Sequence, residues 1–271
     1  FRPATVIQFH GSCPNRLLGP GDYAFKLASS RLVRLADGMM VLSKEELRQW
    51  QQFFPVGRFF VVKNPFKASL VNISATEEWP IPASESVLLF VGRLIREKGI
   101  FDLLEALHQL DATLSWHLLI AGDGSQRRIE KRLSALGLKA RVTVAGYLTD
   151  ARLAAAYKRA TILVLPSWSE GFPTVIAEAL HAGVPIITTN IRGMADNLAN
   201  GVDALLVPPR NPQALANALE KLLSDPLLRT RMSKAGHAKV PAFAPEVVAQ
   251  QYAEVLRAVL GACLLYTSPS P

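Results

Sequence analysis

Thr161-Ile162-Leu163-Val164-Leu165 is followed, after Pro166-Ser167-Trp168-Ser169, by Glu170-Gly171-Phe172-Pro173-Thr174-Val175-Ile176-Ala177-Glu178. The first five residues form a strand-length apolar run rich in β-branched and aliphatic side chains. Gly171 and Pro173 then shape a turn, and the proline is predicted to open a helix over 174–182. The segment is therefore a strand running into a helix. Glu170 falls in the connecting loop, and Glu178 falls one turn inside the helix with Thr174 beneath it at i−4. The carboxyl end of a strand meeting a helix N-terminus is where open α/β sheets bind ligands. The N–H groups of Thr174 and Val175 have no helical partners and face an anion at such a junction.

The same pattern recurs outward from this segment. Strands are predicted at 87–91, 116–121, 141–145, 161–165, 185–188 and 204–207, and helices near 101–110, 125–136, 150–159, 174–182, 212–223 and 227–238. This alternation implies a parallel sheet with right-handed crossovers. Upstream, residues 4–9 read as a strand ending at His10, and 22–36 as an amphipathic helix. A short strand follows at 39–42, then a helix from Lys44 capped by Ser43 and Glu46, and a strand at 58–62. Asn64-Pro65 breaks the pattern, and 63–86 reads as an interdomain linker with one ordered turn. A last helix covers about 245–260, and the tail from Leu264 fits no element. The expected division is 1–63 as part of one domain, 64–244 as a second and complete domain, 245–261 as a helix crossing back to the first, and 262–271 as a tail.

Two further constellations lie at strand-to-helix junctions. Gly92-Arg93-Leu94-Ile95-Arg96-Glu97-Lys98-Gly99 follows strand 87–91. Arg93 and Lys98 are thereby placed at the carboxyl edge of the sheet, where two cations can hold a diphosphate and offset the charge that grows as it leaves. Gly122-Asp123-Gly124 follows strand 116–121 and lets backbone approach a ligand. It falls short of a dinucleotide fingerprint, which argues against NAD. No metal-ligand cluster and no nucleophile–base pair is apparent, so neither a metal nor a cofactor is expected.

Composition narrows the class. With 49% hydrophobic and 19% charged residues, the chain can build a core and is not a disordered type. No apolar run approaches the roughly 18–20 residues of a membrane span. The opening Phe1-Arg2-Pro3 leads into a strand-like run rather than a leader, and a first residue other than methionine points to a fragment. Two cysteines, Cys13 and Cys263, make no disulfide framework and favour a reducing compartment. The net charge of +8 is uneven: residues 1–67 hold 10 Lys and Arg against 4 Asp and Glu. That excess suits a solvated face, an anionic acceptor or peripheral contact with an anionic membrane. The basic residues are scattered without interleaved aromatics, which disfavours nucleic acid.

The order Gly92-Arg93, Lys98-Gly99, Gly122-Asp123-Gly124, Pro166-Ser167, Glu170-Gly171-Phe172-Pro173, Glu178-Ala179 and Gly183-Val184-Pro185 resembles glycosyltransferase family 4. Arg192-Gly193-Met194-Ala195-Asp196 followed by Leu205-Leu206-Val207-Pro208-Pro209 is similar to its bacterial polysaccharide-assembly members. The resemblance covers about residues 5–260. It implies a GT-B architecture of two facing Rossmann-like domains, the donor-binding one complete and the acceptor-side one partial. It also implies a nucleoside diphosphate sugar as donor, a saccharide or lipid-linked saccharide as acceptor, retention of anomeric configuration, and no essential metal. Arg93 and Lys98 would hold the diphosphate, Glu178 the ribose and Glu170 the donor sugar. His10 would be a cleft histidine, and Gly92, Gly122, Asp123, Gly124, Gly171, Phe172, Pro173, Thr174 and Val175 would line the donor site. Asp196 stands where many relatives carry glutamate. The implied location is cytoplasmic, at most peripheral at a membrane. A sugar-nucleotide epimerase and a non-catalytic nucleotide-binding module are the alternative functions.

Overall fold

The structure is a computed structural model and describes residues 4–8, 30–31, 33–55, 57–67 and 79–266. His10, most of the helix expected at 22–36, and linker residues 68–78 lie outside the described residues.

Six strands form the large sheet: β4 (Ser86–Val91), β5 (Trp116–Ala121), β6 (Val142–Gly146), β7 (Ile162–Leu165), β8 (Ile186–Thr189) and β9 (Ala204–Val207). All pairings are parallel, and the spatial order is β6-β5-β4-β7-β8-β9. This is a doubly wound sheet. The chain moves outward from β4 to β6, returns to the middle at β7, and moves outward the other way. Its strands are almost continuously apolar because helices cover both faces: β5 and β7 are buried along their whole length, and β4 is buried from Val87 to Phe90.

The crossover helices follow the sequence signals. They are α2 (Ile100–His108), α3 (Gln126–Leu136), α4 (Asp150–Arg159), α5 (Thr174–His181), α7 (Pro212–Ser224) and α8 (Pro226–His237). The Asn211 side chain accepts from Ala214 N–H at 2.9 Å and Asp225 from Leu228 N–H at 2.8 Å, each followed by a first-turn proline. A one-turn helix, α6 (Arg192–Ala195), stands between β8 and β9, where the sequence showed no helical period.

A second, three-stranded parallel sheet consists of β1 (Val6–Gln8), β2 (Gly38–Val41) and β3 (Phe59–Val61), in the order β1-β2-β3. Helix α1 (Lys44–Phe53) joins β2 to β3. Its cap differs in one detail from the expected box. Ser43 Oγ accepts from Glu46 N–H at 3.1 Å, but the Glu46 carboxylate reaches back to Leu42 N–H, at 2.9 Å, one residue before the cap.

The last helix, α9 (Pro245–Tyr266), lies against this small sheet. Val248, Val255 and Val259 pack with Met40 and Val62. Arg58 donates to Ala258 O at 3.2 Å, and the Gln8 amide donates to the Tyr252 hydroxyl. Two expectations are corrected. The helix continues to Tyr266, through the start of the segment expected to fit no element. The stretch expected as a linker is also partly core: Phe66, Trp79 and Ile81 are buried in the cluster beneath the large sheet. Apolar side chains of that size gain more from burial than an extended connector would.

Candidate functional site

In the order β6-β5-β4-β7-β8-β9, the winding reverses between β4 and β7. Loops leaving adjacent strands at such a point diverge to opposite faces and leave a crevice at the carboxyl edge. Here those loops are 92–99 and 166–173, the two segments singled out in the sequence. A cleft of about 680 Å3 opens between them. It is lined by Gly92, Arg93 and Lys98 from one loop, and by Glu170, Gly171, Phe172, Pro173, Thr174 and Val175 from the other, with Leu42 and Asn64 contributed from the small-sheet side.

Lys98 and Glu170 lie 72 residues apart in sequence and form an ion pair across the crevice. Their side chains are only 20% and 11% exposed, so the pair is screened less by solvent than a surface pair. Arg93 is exposed on the same wall and, among the described residues, has no ion-pair partner. At the opposite wall α5 starts with Pro173 as its cap residue and no side-chain cap. Among the described residues no backbone group takes the N–H groups of Thr174 and Val175. The cleft therefore combines a free guanidinium, a lysine shared with one carboxylate, and an open helix start. Glu97 also lines the cleft, so its ionic side chains balance, and it is Arg93 together with the open helix start that suits a phosphate-bearing ligand.

Glu178 lies one turn further into α5 and is 5% exposed. It is not among the residues lining the cleft mouth. The Tyr157 hydroxyl donates to its carboxylate at 2.8 Å. Burial pushes the Glu178 carboxyl above the usual carboxylate range, opposed by that hydrogen bond and by Lys67. Burial and the Glu178 charge together hold the Tyr157 phenol neutral. Tyr157 was not expected in the site. Its only sequence signal is a polar aromatic on the apolar face of α4, a position that reads as core.

Gly122, Asp123 and Gly124 do not line this cleft; they back its first wall. Leu94 N–H donates to Asp123 O at 2.7 Å, and Gly92 N–H to Ala121 O at 2.9 Å. Gly122 has φ 147°, and a Cβ there would sit 1.9 Å from Gly92 O. These glycines let two adjacent βα turns pack backbone to backbone, which sets the Gly92–Arg93 turn in place.

The Glu170 loop is held equally closely. Trp168 N–H donates to Glu97 O at 2.8 Å, and the Trp168 indole to Asp102 at 2.6 Å. The guanidinium of Arg210, a residue with φ 59°, sits 4.4 Å from the Trp168 ring centroid. From the small-sheet side the Asn64 amide donates to Phe172 O at 2.9 Å. Asp196, the residue that departs from the family pattern, accepts from Glu45 N–H at 3.2 Å, near the start of α1. It thereby joins α6 of the large domain to the small-sheet unit.

A doubly wound domain with a cleft at its switch point belongs to the class of α/β proteins that bind ligands at that edge. Residues 73–239, more than half of the chain, match the family described as glycosyl transferases group 1, and the chain belongs to that family. Its fold is of the GT-B type. A putative teichuronic acid biosynthesis glycosyltransferase, TuaC, of Bacillus subtilis (strain 168) is 37% identical over 227 residues, which cover 80% of this chain and 54% of that protein. Sucrose-phosphate synthase from Thermosynechococcus elongatus superposes with a TM-score of 0.84 at 28% identity, over 97% of this chain and 69% of that one. The Anabaena protein HepE, solved in complex with UDP-glucose, superposes with a TM-score of 0.79 at 23% identity, over 94% of this chain and 72% of its own. The chain spans about a third to a half of the length of the curated relatives it matches.

Proposed function

We propose that this chain is the donor-binding part of a retaining glycosyltransferase of family 4, moving a sugar from a nucleoside diphosphate sugar to a saccharide or lipid-linked saccharide. The observation that carries this is the Lys98–Glu170 pair: two side chains from separate βα loops meet in one cleft at the switch point, beside Arg93 and the open start of α5. The family membership and the UDP-glucose complex of a structural relative support the choice of ligand.

In this reading the donor diphosphate lies between Arg93, Lys98 and the N–H groups of Thr174 and Val175. Lys98 exchanges part of its contact with Glu170 for the phosphate, which frees Glu170 to accept from a hydroxyl of the donor sugar. Glu178, steadied by Tyr157, accepts from the ribose hydroxyls. The bond from the anomeric carbon to the phosphate oxygen breaks as Arg93 and Lys98 take up the growing charge. The acceptor oxygen bonds to that carbon on the same face, and its proton passes to the leaving phosphate oxygen. Two cations and a helix start supply the positive field, so the transfer proceeds without an essential metal.

The test is a panel of UDP-, GDP- and ADP-sugars, read first as thermal stabilisation. At a hundredfold excess over Kd a ligand adds about 2.7 kcal/mol, or roughly 5–10 °C for a domain of this size. The stabilising donor is then used for turnover by the full-length protein, with the product anomer assigned by NMR. Stabilisation by none of the panel, inversion of configuration, or isomerisation of the donor sugar without transfer would each refute the proposal.

A further inference from the structure

The loop of Lys98 and the loop of Glu170 are joined at three levels. At the base their backbones touch: Gly99 has φ 71°, and a Cβ there would lie 2.0 Å from Pro166 O. At the top is the Lys98–Glu170 ion pair. Between these levels stands Trp168. Its backbone N–H donates to Glu97 O at 2.8 Å. Its indole N–H donates to the Asp102 carboxylate, in the first turn of α2, at 2.6 Å. Such a bond to a charged acceptor is stronger than a neutral one. Glu97 and Asp102 flank Lys98 in sequence, and Trp168 stands two positions before Glu170. Trp168 does not line the donor cleft, so it acts on a ligand there only through those two side chains.

A third segment meets the same side chain and carries backbone strain. Arg210, in the turn between β9 and α7, has φ 59°, and among the described residues no other non-glycine residue has a positive φ. Its guanidinium lies 4.4 Å from the Trp168 ring centroid. Strained backbone persists where the surrounding contacts over-determine it, and it gathers at functional sites. The need for a clasp follows from the chemistry. In the transfer proposed above, the phosphate draws Lys98 from Glu170, so the ion pair that joins the loops weakens as the donor is seated. A lysine on its flexible stem follows the phosphate; Glu170 stays in place only if its backbone does. The two Trp168 bonds involve neither the Lys98 nor the Glu170 side chain, and donor binding does not require either bond to open.

We propose that Trp168, held by Asp102, is a positioning residue for the transfer: it keeps Glu170 in register with Lys98 after the donor has divided their ion pair. This role in transfer rests on the function proposed above; the clasp between the two loops does not.

The experiment compares the full-length wild type with Trp168→Phe, Asp102→Ala, Asp102→Asn and the double variant Trp168→Phe, Asp102→Ala. Phenylalanine keeps an aromatic ring beneath Arg210, and both Asp102 replacements fall at a half-buried position, so Tm is expected to stay near wild type. Amide exchange read by NMR needs no substrate. The backbone N–H of residue 168 is expected to exchange roughly tenfold faster in Trp168→Phe and Asp102→Ala, as its bond to Glu97 O opens more often. Turnover is measured with the nucleotide sugar selected from the panel above. In each of those two variants kcat is expected to fall roughly tenfold, the scale of one hydrogen bond to a charged group, with donor KM within about twofold of wild type. Asp102→Asn keeps an acceptor oxygen and is expected to restore most of the rate. The double variant is expected to lose no more than either single one, because both cut the same bond. Wild-type kcat in the single variants, losses that multiply to about a hundredfold in the double variant, or a rise in donor KM with kcat unchanged would each overturn the proposal. So would unchanged exchange at residue 168. Exchange that quickens as expected, in a protein whose wild type turns over no nucleotide sugar, would overturn the transfer reaction alone and leave the clasp standing.

Discussion

Gly193 sits on α6 at the point where the Glu170 loop passes under it, and its replacement by alanine tests whether the position of that loop sets activity. A Cβ added at Gly193 would lie 1.1 Å from Gly171 O and 2.3 Å from Gly171 C. Real Cβ atoms essentially never approach closer than 3.0 Å, so the contact is 1.9 Å too short, the difference of those two distances. The neighbour is backbone and has no rotamer to change. Leu42 also crowds this residue: a Cβ at Gly171 would lie 2.7 Å from Leu42 Cδ1. The Gly171–Phe172 peptide must therefore shift, taking with it Glu170 and the residues that open α5. A misplacement of ~1 Å at a reacting centre can cost about 10²-fold in rate, so Gly193→Ala is expected to lower turnover at least about 10²-fold and to weaken nucleotide binding. Gly201→Ala is the control. Gly201 has φ 78° with nothing within 4 Å of its added Cβ, so that variant carries backbone strain of roughly 1–2 kcal/mol and should keep full activity. Both variants are assayed for kcat and nucleotide affinity at a temperature where near-ultraviolet circular dichroism shows them folded. Wild-type turnover and affinity in Gly193→Ala would refute the argument that α6 positions the loop.

Two further predictions concern the charged groups. Arg93→Ala and Lys98→Ala each remove a cation from the leaving diphosphate and should lower turnover by roughly 10²- to 10³-fold, while EDTA leaves the wild-type rate nearly unchanged; near-wild-type turnover in both variants, or loss of activity in EDTA, would refute the metal-free mechanism. Glu178→Gln should weaken donor affinity more than it lowers kcat, and should raise Tm at neutral pH. The folded-state pKa of Glu178 lies above its unfolded value, so its contribution to stability is present at acid pH and lost as pH rises through the folded pKa; the Tm gain of the glutamine variant should therefore fade on acidification, and a gain that grew toward acid pH would contradict the burial of this carboxylate.

Much of this protein was legible in the order of its residues because the signals are local. The strand at 116–121 is predicted and observed over the same residues, since a run of five apolar side chains and one histidine is favoured only where both sheet faces are covered. Asn211-Pro212 and Asp225-Pro226 announce two helix starts because a cap and a first-turn proline act within one turn. Glu170, Arg93 and Lys98 were identified as candidate site residues by their position after strands.

What the sequence could not contain was the pairing of distant loops. That Lys98 meets Glu170 depends on β4 lying beside β7, a consequence of the sheet order rather than of either loop. Tyr157 joined the site for the same reason: α4 packs beside α5 only after the chain has crossed the sheet, bringing the phenol to Glu178. Phe66, Trp79 and Ile81 read as a connector because their periodicity is broken, yet burial against the large core places them. Gly122 and Gly124 read as ligand glycines, and only their neighbours in space showed that they admit another backbone. Local propensity acts over a few residues of chain; a cleft is made by side chains and peptides that become neighbours only when the sheet closes around its order of strands.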